Sequence, residues 1–119
     1  MGLHRRILIV EDEMMVAMLI EDMLTDFGFE FVGPVADAAS AVRFANSAEI
    51  GFALLDVNLG GETSFPAADA LMARGVSFAF LTGYGEAGVR PDLRRWPILG
   101  KPINPIKLKQ ILLEGIGDS

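Results

Sequence analysis

An α/β fold with a doubly wound parallel sheet is the architecture this sequence predicts, and three observations predict it. The apolar runs Ile7-Leu8-Ile9-Val10, Phe52-Ala53-Leu54-Leu55 and Phe78-Ala79-Phe80-Leu81 have the unbroken hydrophobicity of strands buried on both faces. Segments with helical spacing of apolar residues lie between them, so strands and helices alternate. Each run also ends in polar groups: Glu11 and Asp12, Asp56, and Thr82, with Lys101 closing a shorter run, Ile98-Leu99-Gly100. In an open parallel sheet the carboxyl ends of the strands share one edge, where ligands bind. Three carboxylates, a hydroxyl and an ammonium scattered through the chain would therefore meet.

Taken in order, Ile7–Val10 is the first strand, and 14–27 places Val16, Leu19, Ile20, Met23, Leu24 and Phe27 at helical spacing. Gly28 follows as a C-terminal cap. The Met-rich start of this helix is expected to pack into the core. A second strand covers about 29–35, and Asp37 caps a helix running to about Ser47. After the Phe52–Leu55 strand comes a glycine-containing loop, then a helix over about 64–74 that ends at Gly75. The next strand is 76–81. Beyond it, Gly83, Gly85, Gly88, Pro91 and Pro97 make a poor helix, so any fourth helix is confined to about 90–95 and has few apolar side chains to bury. The strand 98–100 leads into a last helix with Asn104 as cap and Pro105 in its first turn. That makes five strands and roughly five helices, with no linker, repeat or low-complexity tract.

Composition sets further bounds. The 119 residues are enough for one domain with a true core, since 51% are hydrophobic. We expect a single domain over 1–119 with no output domain. A formal net charge of −6 argues against nucleic acid bound through a broad basic face. The chain has no cysteine, hence no disulfide framework, thiolate site or thiol nucleophile. The first apolar run stops at Glu11, too short for a signal core or membrane span, so a cytoplasmic protein without membrane association is expected. His4, ahead of the first strand, is read as a surface residue without a role, and Trp96 as either a loop anchor or exposed apolar area.

These residues carry a family resemblance. Val10-Glu11-Asp12-Glu13, Leu54-Leu55-Asp56 with Asn58 two positions on, Leu81-Thr82-Gly83, and Gly100-Lys101-Pro102 together resemble the receiver domain of bacterial two-component response regulators, over nearly the whole chain. Any one of them has an ordinary explanation: acids favour helix starts, Asp forms turns, Thr suits strands, and Lys suits surfaces. Their joint placement is what is specific. The resemblance implies a flavodoxin-like (CheY-like) sheet of strand order 2-1-3-4-5, an arrangement for which chemotaxis receivers are the handy illustration.

It also implies a role for each residue. Asp56 is the phosphoacceptor, becoming an acyl phosphate. Attack of one anion on another needs positive charge, which Mg²⁺ would supply, with Asp12 and Asp56 as direct ligands, the backbone carbonyl of Asn58 as a third, and Glu11 acting through a water. Lys101 would pair with one phosphoryl oxygen and Thr82 with another. The phosphoryl donor would be a sensor histidine kinase or a histidine phosphotransfer protein, and the output a contact with a target protein or a phosphate sink. The protein would not be an enzyme beyond its own phosphorylation and dephosphorylation.

The pattern has departures. Gly60, followed by Gly61, stands where most receivers have proline, which predicts a looser loop. Ile98 replaces the usual aromatic switch residue, leaving Tyr84 as the candidate, together with Thr82. Phe80-Leu81-Thr82-Gly83-Tyr84 resembles the Phe-Ala-Thr-Gly-Tyr signature of the single-domain receivers nicknamed FAT GUY, with Leu81 in place of alanine; that group implies stress-linked phosphorelays and a labile fourth helix. Arg90, Arg94, Arg95, Lys107 and Lys109 would give the partner-binding face positive charge. Two rivals are a Mg²⁺-dependent phosphohydrolase, whose second aspartate would stand where this chain has Asn58, and a pseudo-receiver that binds partners unphosphorylated. Nucleotide binding finds no glycine-rich motif to support it.

Overall fold

The computed structural model describes residues 5–116; His4 lies outside them. The elements are β1 (Arg6–Val10), α1 (Met14–Asp26), β2 (Glu30–Val35), α2 (Ala38–Ser47), β3 (Phe52–Asp56), β4 (Asn58–Leu59), β5 (Glu62–Thr63), α3 (Phe65–Arg74), β6 (Ser77–Thr82), β7 (Ile98–Gly100) and α4 (Pro105–Ile116). β2-β1-β3-β6-β7 form one sheet, all pairs parallel. With the small β4–β5 hairpin set aside, this is the expected order 2-1-3-4-5.

The alternation of side chains across the strands divides the core in two. Leu8, Val10, Ala53, Leu55, Phe78 and Phe80 face α2 and α3, meeting Ala41, Ala45, Ala67, Ala68 and Leu71. Ile7, Ile9, Phe52, Leu54, Ala79 and Leu81 face α1 and α4, meeting Ile20, Leu24, Leu108 and Leu112. The inner strands β1, β3 and β6 are thus covered on both sides, which is why their sequences are unbroken apolar runs. Pro34 is confined to β2, an edge strand, where a missing N–H costs no ladder bond on the open side.

Helix ends follow local chemistry. The Asp37 carboxylate accepts the Ser40 N–H at 2.7 Å, and Asn104 Oδ1 accepts from the Ile106 and Lys107 N–H groups. The C-terminal carbonyls of α2 are satisfied from the neighbouring helix: Arg74 donates to Ala45 O at 2.7 Å and to the Ala48 O just beyond at 2.8 Å. In α4, a Cβ on Gly115 would overlap the Phe52 ring, so glycine lets this helix lie so close to β3.

Four expectations need correcting. The loop after β3 is a two-stranded hairpin, Asn58–Leu59 against Glu62–Thr63. Gly60 and Gly61 have φ of 60° and 93°, the positive pair that a tight two-residue hairpin turn demands. There is no fourth α-helix between β6 and β7; two short 3₁₀ turns, Gly85–Gly88 and Pro91–Leu93, take its place. That segment is also better anchored than its composition implied, because Val89 and Leu93 are fully buried and Trp96 stacks on Phe78 with ring centroids 4.2 Å apart. Finally, Met14, Met15, Met18 and Leu19 point outward from α1, and the helix buries Ala17, Ile20 and Leu24 instead.

Candidate functional site

The carboxyl ends of β1, β3, β6 and β7 open into one cleft of about 470 Å³, lined among others by Asp12, Asp56, Asn58, Thr82, Tyr84 and Lys101. Glu11 lies beneath it, 2% exposed, and Asp56 and Thr82 are nearly as buried. Asp12 is exposed at the rim. Parallel register sets the convergence: Val10 aligns with Leu55, Asp56 with Leu81, and Thr82 with Gly100, so each following residue emerges at the same edge.

Within the cleft, one carboxylate oxygen from each of Glu11, Asp12 and Asp56 lies within 4.8 Å of the others. Lys101 Nζ stands 3.0 Å from Glu11 Oε1, 3.0 Å from Glu13 Oε1 and 3.3 Å from Asp56 Oδ2. The Glu11 approach is close but poorly aligned, and Glu11 Oε1 is left buried without a hydrogen bond. Its other oxygen accepts the Glu13 N–H at 3.1 Å. Burial pushes the Glu11 carboxyl up to about 7, the Asp56 carboxylate beside it adding to the effect. For Lys101, burial works to lower the ammonium pKa, yet the acids around it, Glu11 foremost, hold it above its ordinary value.

This donor set fits a hard divalent cation. Four carboxylates, Glu11, Asp12, Glu13 and Asp56, gather with one ammonium, the excess charge is negative, and a buried carboxylate oxygen lacks a hydrogen bond. All-oxygen ligands with open positions suit Mg²⁺ better than a soft metal.

Thr82 Oγ1 accepts the Tyr84 N–H at 3.0 Å, while the Tyr84 ring is 81% exposed. Asn58 Oδ1 accepts the Gly61 N–H at 3.2 Å, so its side chain closes the hairpin while the residue lines the cleft. Two of the basic side chains expected on the partner face are engaged internally. Arg90 pairs with Asp69 at 2.6 Å and Asp92 at 2.7 Å, and Arg94 donates to Val89 O. One site contact escaped the sequence reading: Glu13 on Lys101. Only its place directly after the acidic pair hinted at it.

A parallel sheet in this order, with an acidic cluster and a lysine at its carboxyl edge, defines a receiver-type phosphorylation fold. The comparisons agree. SdrG from Sphingomonas melonis Fr1 is 39% identical, superposes with a TM-score of 0.84, and is matched over 98% of each chain. The receiver domain of the sensor histidine kinase PA1611 from Pseudomonas aeruginosa PAO1, solved with magnesium in its active-site cleft, is 30% identical at a TM-score of 0.83, over 96% of this chain and 98% of that one. The chain belongs to the receiver-domain family of response regulators. Among curated proteins, the phyllosphere-induced regulator PhyR of Methylorubrum extorquens is 29% identical over 116 residues, 92% of this chain and 43% of PhyR. The chain spans about half the length of the curated relatives it matches. No protein-family profile matches it. Among the described residues, no helix is long and apolar enough to cross a membrane.

Proposed function

We propose that this receiver accepts a phosphoryl group on Asp56 from a histidine kinase or histidine phosphotransfer protein and signals by contact with a target protein. The observation that carries this reading is Lys101 Nζ at 3.3 Å from Asp56 Oδ2 inside an acidic, oxygen-lined cleft. It sets a cation against the candidate nucleophile within the acidic cluster where a divalent ion would also gather.

In the reaction, an Asp56 carboxylate oxygen attacks phosphorus and a P–O bond forms. The P–N bond to the donor histidine breaks, its electron pair stays on the imidazole nitrogen, and that nitrogen takes a proton from solvent. Asp12, Asp56 and the Asn58 carbonyl would hold Mg²⁺, Glu11 acting through water; the ion, when bound, supplies the positive charge that lets two anions approach. Lys101 neutralises one phosphoryl oxygen, and Thr82 donates its hydroxyl to another. Burial of Asp56 and Thr82 keeps these interactions in a weakly screened setting. Hydrolysis by water later returns the carboxylate.

The donor must bring its histidine to the cleft, and Met14 and Met15, 71% and 75% exposed at the start of α1, follow the acidic residues directly in sequence. Flexible methionines suit a surface that seats another protein. Thr82 and Tyr84 form the switch. Thr82 Oγ1 holds the Tyr84 N–H, so drawing the hydroxyl toward a phosphoryl group pulls on the Gly83–Gly85 turn. The phosphohydrolase alternative has less support, since Asn58 is an amide occupied in a turn and offers no acid or base.

The test is incubation with Mg²⁺ and acetyl phosphate followed by intact-mass measurement. One hydroxylamine-labile phosphoryl group, absent in Asp56→Asn, is expected. Steady release of inorganic phosphate at high turnover, or labelling that survives Asp56→Asn, would overturn the assignment.

A further inference from the structure

Glu13 is an unusual helix start. It occupies the N-cap position of α1 with extended backbone angles, yet its carboxylate makes no cap bond. The shorter Asp, Asn, Ser and Thr are the usual acceptors there, and the longer Glu side chain is left to reach elsewhere. Its Oε1 instead accepts from Lys101 Nζ at 3.0 Å, across 88 positions of sequence. Of the three carboxylates around that ammonium, Glu13 alone has hydrogen-bond alignment; Glu11 Oε1 is as near but misaligned, and Asp56 Oδ2 lies at 3.3 Å. Lys101 thus makes its one aligned bond to the exposed Glu13 while staying 3.3 Å from Asp56 Oδ2.

We infer that Glu13 is a positioning residue that competes with the phosphoryl group on Asp56 for the Lys101 ammonium, and so weakens retention of that group. The inference rests on the receiver reading above. An ammonium has three donors, and a phosphoryl group brings up to about two negative charges beside it. Three carboxylates at 3.0–3.3 Å already surround those donors, so an incoming phosphoryl oxygen must take a place against one of them, and Glu13 is the exposed one free to swing away. Because the Glu13 side chain is 63% exposed, the tether is of the modest strength typical of surface pairs, which suits a setting that tunes the site.

The experiment measures fluoroberyllate, a phosphoryl mimic, binding to the Mg²⁺-saturated full chain by calorimetry, alongside the lifetime of the acyl phosphate formed from acetyl phosphate. Two variants separate contact from charge. Glu13→Gln removes the charge. Glu13→Asp keeps it, but the side chain is one methylene too short to reach Lys101. Both are expected to bind the mimic about two- to fivefold tighter, within the range an exposed ion pair spans, and to hold the acyl phosphate longer than the wild type. Tightening in Glu13→Gln alone would reassign the effect to general repulsion at the cleft mouth and overturn the inference. Wild-type affinity in both variants would do the same. Failure of the wild type itself to bind the mimic or accept a phosphoryl group would refute the receiver reading, and this inference with it.

Discussion

Lowering the pH is expected to stabilise the metal-free protein, with Glu11 as the cause. Its carboxyl is pushed up to about 7 in the folded chain, against an ordinary value of 4.5 once unfolded. Below the lower value both states hold the proton, and burial of the carboxyl costs little. Between the two, only the folded state keeps it, so stability falls as pH rises; above about 7 both states are ionised and the full cost of a buried carboxylate is present. Converted at 1.36 kcal/mol per pH unit, the gap is worth about 3 kcal/mol. With a urea slope of roughly 1–3 kcal/mol per molar, the unfolding midpoint should drop by about 1–3 M between pH 4.5 and pH 8. Glu11→Gln is neutral at every pH and isolates the contribution, because repulsion among the chain's other acids affects both proteins alike. Asp56→Asn should flatten part of the slope, since the Asp56 carboxylate is the second cause of the shift. Saturating Mg²⁺ should flatten most of it. Urea titrations of wild type and Glu11→Gln in chelator-treated buffer provide the measurement. Parallel pH profiles for the two proteins would refute the reasoning.

Three further outcomes are expected. Asp12→Ala should weaken Mg²⁺ binding more than Glu11→Ala, for which the loss is roughly tenfold, as befits a ligand acting through water; calorimetry reads both, and equal losses would erase the division of roles. Leu93→Ala should destabilise by about 2–5 kcal/mol in urea unfolding, because Leu93 is fully buried; a negligible change would mean the segment between β6 and β7 is not held by it. Gly115→Ala should also destabilise, since overpacking against buried Phe52 costs about 1–3 kcal/mol, while alanine's helix propensity returns at most about 1 kcal/mol. A rise in melting temperature would show that the Phe52 ring yields freely.

The sheet and the gathering of the site were legible because each depends on a strong local signal. An unbroken apolar run marks a strand covered on both faces, and a polar residue at its end can only lie at the carboxyl edge. What escaped depended on distance or direction. The periodicity of α1 is compatible with more than one buried stripe, and the helix buries Ala17 while Leu19 stays exposed. The hairpin at Asn58–Thr63 was hidden by strands of two residues each, although its two glycines were in plain sight. Between β6 and β7, glycines and prolines signalled poor helix but carried no sign that Val89, Leu93 and Trp96 would reach the core. The Glu13–Lys101 contact joins chain positions too far apart for any spacing rule.

The Trp96–Phe78 stack gives the molecule an optical reporter of its own. Trp96 is the chain's single tryptophan, so its ultraviolet emission comes from one indole in one environment. That indole lies 26° from parallel with Phe78, its N–H buried without a hydrogen-bond partner, and the Arg95 guanidinium stands 5.6 Å from its ring centre. Phe78 belongs to the same strand that ends at Thr82. Any rearrangement that lifts the connecting segment away from β6 separates the rings and wets the indole, shifting its emission to longer wavelength. A rearrangement that leaves the stack closed keeps the spectrum fixed. Stopped-flow emission after addition of a phosphodonor can therefore time the motion of this segment in the unlabelled protein.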